Sequence, residues 1–186
     1  FRSLIQKEGF DSVAVAHNLN DNAETFLINM MRGTGLSGLT GMRPHTGDVI
    51  RPLLFATRDE IAAFAAEYGI GYREDSSNRQ VKYTRNRIRH MVIPEMEKVN
   101  PGAVNAITDT MRHLASSSAI LETYISGLSS ELFRSIDDTT EADIKSLIAL
   151  TPQEPHIFEL FRPYGISPRQ TGEVISLLHS DTGRSV

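Results

Sequence analysis

The sequence predicts an α/β fold: part of a parallel sheet covered by helices, followed by an all-α region. Three observations carry that expectation. Val13-Ala14-Val15-Ala16 is a short apolar run set between two helical patterns, the order expected where helices join parallel strands. Val49 to Leu54, reading VIRPLL, supplies a further strand. It should end at Pro52 or lie on an edge, since proline cannot donate to a ladder. Beyond residue 100 the apolar residues repeat about every 3.5 positions, a helical period with no strand signal. The expected division is residues 1–98 for the α/β part and 99–186 for the helical part.

Residues 1–9 read as the end of a helix, with Leu4 and Ile5 apolar, Lys7 near the C-terminus and Gly9 just past it. A short buried strand over 12–16 then delivers His17 to its carboxyl end, where open α/β sheets bind ligands. The next helix should run from 20 to 32. Ala23, Phe26, Leu27, Met30 and Met31 form its apolar stripe, and Asp21, Glu24, Thr25, Ile28 and Arg32 fall opposite. Asn18 or Asn20 can cap it, which puts both carboxylates in the first turns, where the helix dipole favours their ionised forms.

Gly33, Gly35, Gly38 and Gly41 follow within nine residues. Such a loop can approach a phosphate or nucleotide closely, or serve as a flexible connector. Its spacing is not that of a Walker A loop. Thr57-Arg58-Asp59-Glu60 reads as a capping box, Ile61, Phe64, Ala65 and Tyr68 as the buried stripe of the helix it opens, and Gly69 as its stop. Glu74 to Asn78 is a turn of side chains that bond their own backbone.

Arg79, Lys82, Arg85, Arg87 and Arg89 then place five cations in eleven residues, among Tyr83, Asn86 and His90. A helix should start near Thr84, because Ile88, Met91 and Val92 keep helical spacing before Pro94. Arginines in a first turn oppose the helix dipole unless an anion meets them. Phosphate is the obvious anion, and this mixture of Arg, Lys, Tyr and Asn suits RNA or nucleotide contact. Asn100-Pro101 reads as a cap and first position of a helix from 101 to 135, roughly 50 Å long at 1.5 Å per residue. Ile107, Met111, Leu114, Ser118, Leu121, Ile125, Leu128 and Leu132 line its buried seam. Thr140 to Asp143 reads as a further cap, with helices expected near 152–163 and onward from Ser167-Pro168, and a turn at Asp181-Thr182-Gly183.

The 186 residues include no cysteine, which excludes disulfides and thiolate metal sites and makes the cytoplasm the default compartment. No apolar run approaches the about 18 residues of a membrane span, and no signal peptide is visible. A net charge of −4 argues against a general nucleic-acid binder, so the local basic cluster matters more than the sum. The first residue is Phe, and an opening on the last turns of a helix predicts a fragment whose upstream sequence is missing.

Five segments in order resemble one family. His17-Asn18-Leu19-Asn20-Asp21-Asn22-Ala23-Glu24-Thr25, Arg32-Gly33-Thr34-Gly35-Leu36-Ser37-Gly38-Leu39, Arg51-Pro52-Leu53-Leu54, Asp75-Ser76-Ser77-Asn78 and Arg85-Asn86-Arg87-Ile88-Arg89 look like the motifs of tRNA(Ile)-lysidine synthetases. These belong to the PP-loop, adenine-nucleotide α-hydrolase-like superfamily. The resemblance covers about residues 1–95, and more weakly the helical middle domain over 100–186. It implies an enzyme that uses ATP and Mg²⁺ to adenylate the C2 oxygen of the wobble cytidine in the CAU anticodon of an isoleucine tRNA. The side-chain amine of L-lysine then displaces AMP to form lysidine.

By motif match, His17, Asp21 and Glu24 would bind lysine, since an ammonium in a partly desolvated site needs carboxylates. Arg32 and Arg89 would be catalytic, stabilising charge on the activated cytidine and α-phosphate. Lys82, Arg85, Asn86 and Arg87 would hold tRNA. Many members carry Asp where this chain has Asn20, which leaves a metal role of that position without its ligand. The family's SGGxDS loop for ATP would lie upstream of Phe1, and its C-terminal tRNA-binding domain beyond Val186. Truncation predicts exposed apolar surface and association, with a homodimer as the simplest form. Two other readings compete: a non-catalytic RNA-binding module built on residues 79–90, and a metal site made by His17, Asp21 and Glu24.

Overall fold

The computed structural model describes residues 5, 7–72, 84–137 and 139–180. It forms two compact units, divided between Ser118 and Ala119. The expectations for Leu4, for Asp75 to Asn78, for Arg79, Lys82 and Tyr83 and for the final turn lie outside the described residues.

In the first unit, β1 (Val13–Ala14) runs parallel to β3 (Val49–Ile50), which pairs antiparallel with β2 (His45–Thr46). The order β1-β3-β2 makes β3 central, so the strand ahead of Pro52 ends at the proline but is not an edge. Val13 is half-buried and Ala14 exposed, unlike the buried strand expected. These strands are too short to bury both faces of a sheet. Gly9 donates to the carbonyl of Ile5 at φ +71°, the left-handed helix stop the sequence predicts.

Helix α1 (Leu19–Met31) is capped by Asn18, whose Oδ1 accepts the Asp21 N–H at 3.0 Å while Asp21 Oδ2 accepts the Asn18 N–H at 3.1 Å. Leu19, Ala23, Phe26 and Leu27 bury their side chains with Ile88, Ile93, Val104, Ile107 and Met111. Met30 and Met31, expected in the same stripe, are 50% and 60% exposed, because the packing partners follow only the first turns of the helix. Helix α2 (Arg58–Glu67) carries the predicted Thr57/Glu60 capping box and stops at Gly69, φ +62°. Its expected stripe is not buried: Phe64 and Tyr68 stack on each other, centroids 4.4 Å apart, with both rings exposed.

Helix α3 (Thr84–Arg87) passes through a π turn over Ile88–Val92 into α4 (Ile93–Val99). The Ile93 N–H reaches back five residues to the Ile88 carbonyl. Pro94, which has no N–H to donate, is carried inside the continuing helix.

Helix α5 (Ala103–Leu132) starts later than expected. Asn100 terminates α4, and the first N–H groups of α5 are capped by Glu97, which accepts from Gly102 at 2.7 Å and Val104 at 2.9 Å. A carboxylate meets the positive end of the helix better than the neutral Asn100 would. Those bonds hold the Glu97 carboxyl below its ordinary value of 4.5. Its contribution is therefore present above the unfolded value and is lost as pH falls through the lower folded one. Glu97→Gln should destabilise the protein by about 0.5–1 kcal/mol at neutral pH, the low end for a cap because water competes. Denaturant melts at pH 7 and pH 3 should show that difference shrinking in acid.

The second unit is not all-α. After Leu132 the chain forms β4 (Phe133–Ile136), paired antiparallel with β5 (Thr139–Ala142), where continued helix and a cap at Thr140 were expected. Asp137 turns the hairpin at φ +53°, a conformation Asp tolerates better than most residues. Asp143 caps α6 (Ile144–Ala149), and α7 (Gln153–Phe161) and α8 (Thr171–Leu178) follow. Leu147, Ile157, Leu160 and Val174 form this core, packed by Ile125, Leu128 and Leu132 from the end of α5. The periodic seam of α5 thus serves two cores in succession. Among the described residues no helix is long and apolar enough to cross a membrane.

Candidate functional site

Two carboxylates and three guanidiniums meet beside the first turns of α1. Glu24, which the helical wheel sets on the polar side, is fully buried. Arg89, in the π turn, covers it. Arg89 Nε donates to Glu24 Oε1 at 2.6 Å, and its NH2 nitrogen donates to Glu24 Oε2 and Asp21 Oδ1, both at 2.8 Å. The planar fork matches the carboxylate, which one ammonium nitrogen could not do. Bonding to Glu24 holds the Arg89 guanidinium above its ordinary value, with burial opposing and the charges of Glu24 and Asp21 adding to the rise. Its charge is fixed at every relevant pH.

Arg85 approaches from the same helical segment, donating to Thr25 Oγ1 at 2.9 Å, with its Nε 3.8 Å from Glu24 Oε2. Arg58, at the start of α2, comes from another direction and lies 3.8 Å from both Asp21 Oδ1 and Glu24 Oε1. A carboxylate within the chain thus faces Arg85 and Arg89, two of the arginines expected to meet phosphate.

The remaining predicted residues are spread around this cluster. His17 is half-buried at the carboxyl end of β1, and its buried Nδ1 meets no partner among the described residues. Arg32 is exposed at the C-terminal end of α1, about 16 Å along the helix from Asp21 at 1.5 Å per residue. The fold does not bring it to Arg89. Arg87 is exposed and Asn86 half-buried, while Lys82 lies outside the described residues. Asn20 uses Oδ1 to accept the Arg58 N–H at 2.8 Å.

The glycine-rich segment is neither a loose connector nor an open cradle. It folds back on α1, where Asn29 Nδ2 donates to the Gly38 carbonyl at 2.8 Å and Asn22 Oδ1 accepts the Met42 N–H at 2.6 Å. Gly41, at φ +76°, lies so close that a Cβ there would come within 2.6 Å of Met111 Sδ and 2.9 Å of Asn22 Oδ1.

These residues do not fit Mg²⁺ or the phosphates of ATP. Asp21 and Glu24 already face guanidiniums, and the N-terminal turn of α1 is closed by its own side chains. Among the described residues no three His, Asp or Glu side chains gather as metal ligands.

Sequence reasoning missed Arg58. The signal was present: an arginine inside an acidic capping box opposes the helix dipole and so breaks a local rule.

A family profile described as PP-loop domain matches residues 1–96, and the chain belongs to that family. A second, described as TilS substrate binding domain, matches residues 135–186. The chain is 34% identical over 184 residues to a tRNA(Ile)-lysidine synthase of Parabacteroides distasonis, covering 99% of this chain and 41% of the relative. It is 36% identical over 184 residues to one of Porphyromonas gingivalis, covering 98% of this chain and 40% of that protein. Over 98 residues it is 50% identical to one of Thermosipho africanus, covering 53% and 23% respectively. The chain thus spans about two-fifths of the length of the first two relatives.

Proposed function

We propose that this chain serves a tRNA-modifying carbon–nitrogen ligase that joins lysine to the wobble cytidine of a CAU-anticodon isoleucine tRNA. The observation that carries the reading is the Asp21 and Glu24 pair, held by Arg89 within a PP-loop domain. The names of the relatives supply the product class, lysidine.

Asp21 and Glu24 are assigned to lysine, with His17 beside them. Asp21 Oδ1, partly exposed beside Arg58 and shared with Arg89, is the oxygen an ammonium would meet, with the buried Glu24 adding its charge from behind. For the amine to attack C2 it must first lose a proton; a C2–N bond then forms as the C2–O bond to the leaving group breaks. Arg89 is assigned to charge developing in that step. Arg32 is assigned to a phosphate approaching the far end of α1. Lys82, Arg85, Asn86 and Arg87 are assigned to tRNA, with exposed Arg87 best suited to a backbone phosphate and Arg85 shared with Glu24. ATP with Mg²⁺ is the proposed energy source, and Asp21 and Glu24 are not assigned to its phosphates or its metal. Residues 1–98 are assigned to the chemistry. The substrate-binding profile over 135–186 supports tRNA contact by the helical region from 99 onward.

In the full-length protein, Asp21→Asn should raise the KM for lysine about ten-fold or more, as expected for loss of a charge-assisted contact, and change that for ATP far less. Incorporation of labelled lysine into the tRNA reads both. Equal losses for the two substrates would contradict the assignment. Salt-dependent tRNA binding with no lysine affinity would favour the non-catalytic RNA-binding module instead.

A further inference from the structure

The carboxylate cluster carries more positive than negative charge. Among the described residues, Asp21 and Glu24 contribute two negative charges against the three positive charges of Arg58, Arg85 and Arg89. A ligand that brought only ammonium groups would add to the excess. An α-amino acid brings its own carboxylate.

The three arginines are not equivalent. The Arg89 side chain is 15% exposed and makes three hydrogen bonds to the acids. Arg85 is tied to Thr25 Oγ1. Arg58 is 43% exposed, and its 3.8 Å approaches to the acids are too long for hydrogen bonds. Its backbone is nevertheless fixed. Asn20 Oδ1 accepts the Arg58 N–H at 2.8 Å, and the Leu19 N–H donates to the Ala56 carbonyl at 2.9 Å, so the start of α2 is pinned to the start of α1. A guanidinium on a fixed base, half in solvent and short of its internal partners, is free to bind a second anion without breaking a hydrogen bond to either acid.

We propose that Arg58 is a specificity-determining residue that binds the α-carboxylate of the lysine substrate, while Asp21, backed by the charge of buried Glu24, takes its α-ammonium. This rests on the lysine pocket proposed above and adds which end of lysine the pocket grips. The zwitterionic head is held between Arg58 and the acids, and the side-chain amine extends away as the nucleophile. Asn20 positions Arg58 through its backbone.

The test compares lysine with lysinamide, which keeps both amines and lacks the carboxylate, in the full-length protein. Wild type should prefer lysine. Arg58→Gln should raise the lysine KM about ten- to hundred-fold, the loss of one charge-assisted pair. It should leave the KM values for lysinamide and ATP within about two-fold, because neither meets the removed contact. Arg58→Lys, which keeps the charge but not the fork, should recover part of the preference. Equal loss for lysine and lysinamide in Arg58→Gln, with the variant folded by circular dichroism, would overturn the proposal. So would a wild type that uses both equally well. If Asp21→Asn and Arg58→Gln both leave the lysine KM unchanged, the lysine pocket itself is wrong, which separates that failure from misassignment of Arg58 alone.

Discussion

Replacing Glu24 by Gln should cost the first unit about 3–5 kcal/mol, the range seen when one partner of a buried ion pair is removed. Glu24 is fully buried, and its two oxygens are the main acceptors of the Arg89 fork. An amide offers one acceptor oxygen in place of two and no charge. Arg89, with a side chain only 15% exposed, would keep its charge but lose its principal counter-ion. Urea unfolding followed by far-ultraviolet circular dichroism measures the loss. Glu24→Met combined with Arg89→Met should recover much of it, because burying two apolar side chains leaves no unpaired charge. On the proposed function, the full-length double variant should still fail to incorporate lysine. A Glu24→Gln protein as stable as wild type would mean that the ion pair is not buried in solution.

The second large effect is on rate. Arg89→Lys keeps a positive charge beside Asp21 and Glu24 but replaces a planar fork bonded at 2.6–2.8 Å with one nitrogen. It cannot bridge both acids in the same geometry. On the proposed function, lysine incorporation by the full-length protein should fall about hundred- to thousand-fold, the scale for losing one preorganised donor at a reacting centre. Stability should fall less than in Glu24→Gln, because the acids retain a counter-charge. Single-turnover transfer with saturating lysine separates this from weaker binding. An unchanged transfer rate would reduce Arg89 to a structural counter-ion.

Both predictions turn on residues whose relationship is long-range, and they mark where reading the sequence reached its limit. An asparagine cap for α1, left open between Asn18 and Asn20, the Thr57/Glu60 capping box, the left-handed stops at Gly9 and Gly69 and the apolar seam of α5 were legible. Each is decided within three or four residues, by helix geometry and the backbone's need for partners. The PP-loop class was legible as well, because its motifs are local strings in a fixed order.

What the sequence by itself determined, then, is which segments are helices, where most of them begin, and where the acids and arginines stand along the chain. Tertiary structure decided their use. Glu24 and Arg89 are 65 positions apart, and they meet because Ile88 and Ile93, flanking the π turn, pack into the same core as Phe26 and Leu27. Arg58 reaches the acids because Asn20 and Ala56 pin two helix starts together. Phe64 and Tyr68 kept helical spacing yet found no core, and the end of the predicted long helix became a hairpin that packs Phe133 and Ala142 onto the second core. Local rules fix a residue's backbone state over a few bonds; burial and ion pairing depend on which distant surface arrives beside it. That is why the presence of these acids and arginines could be read in advance, and the pairing of their charges could not.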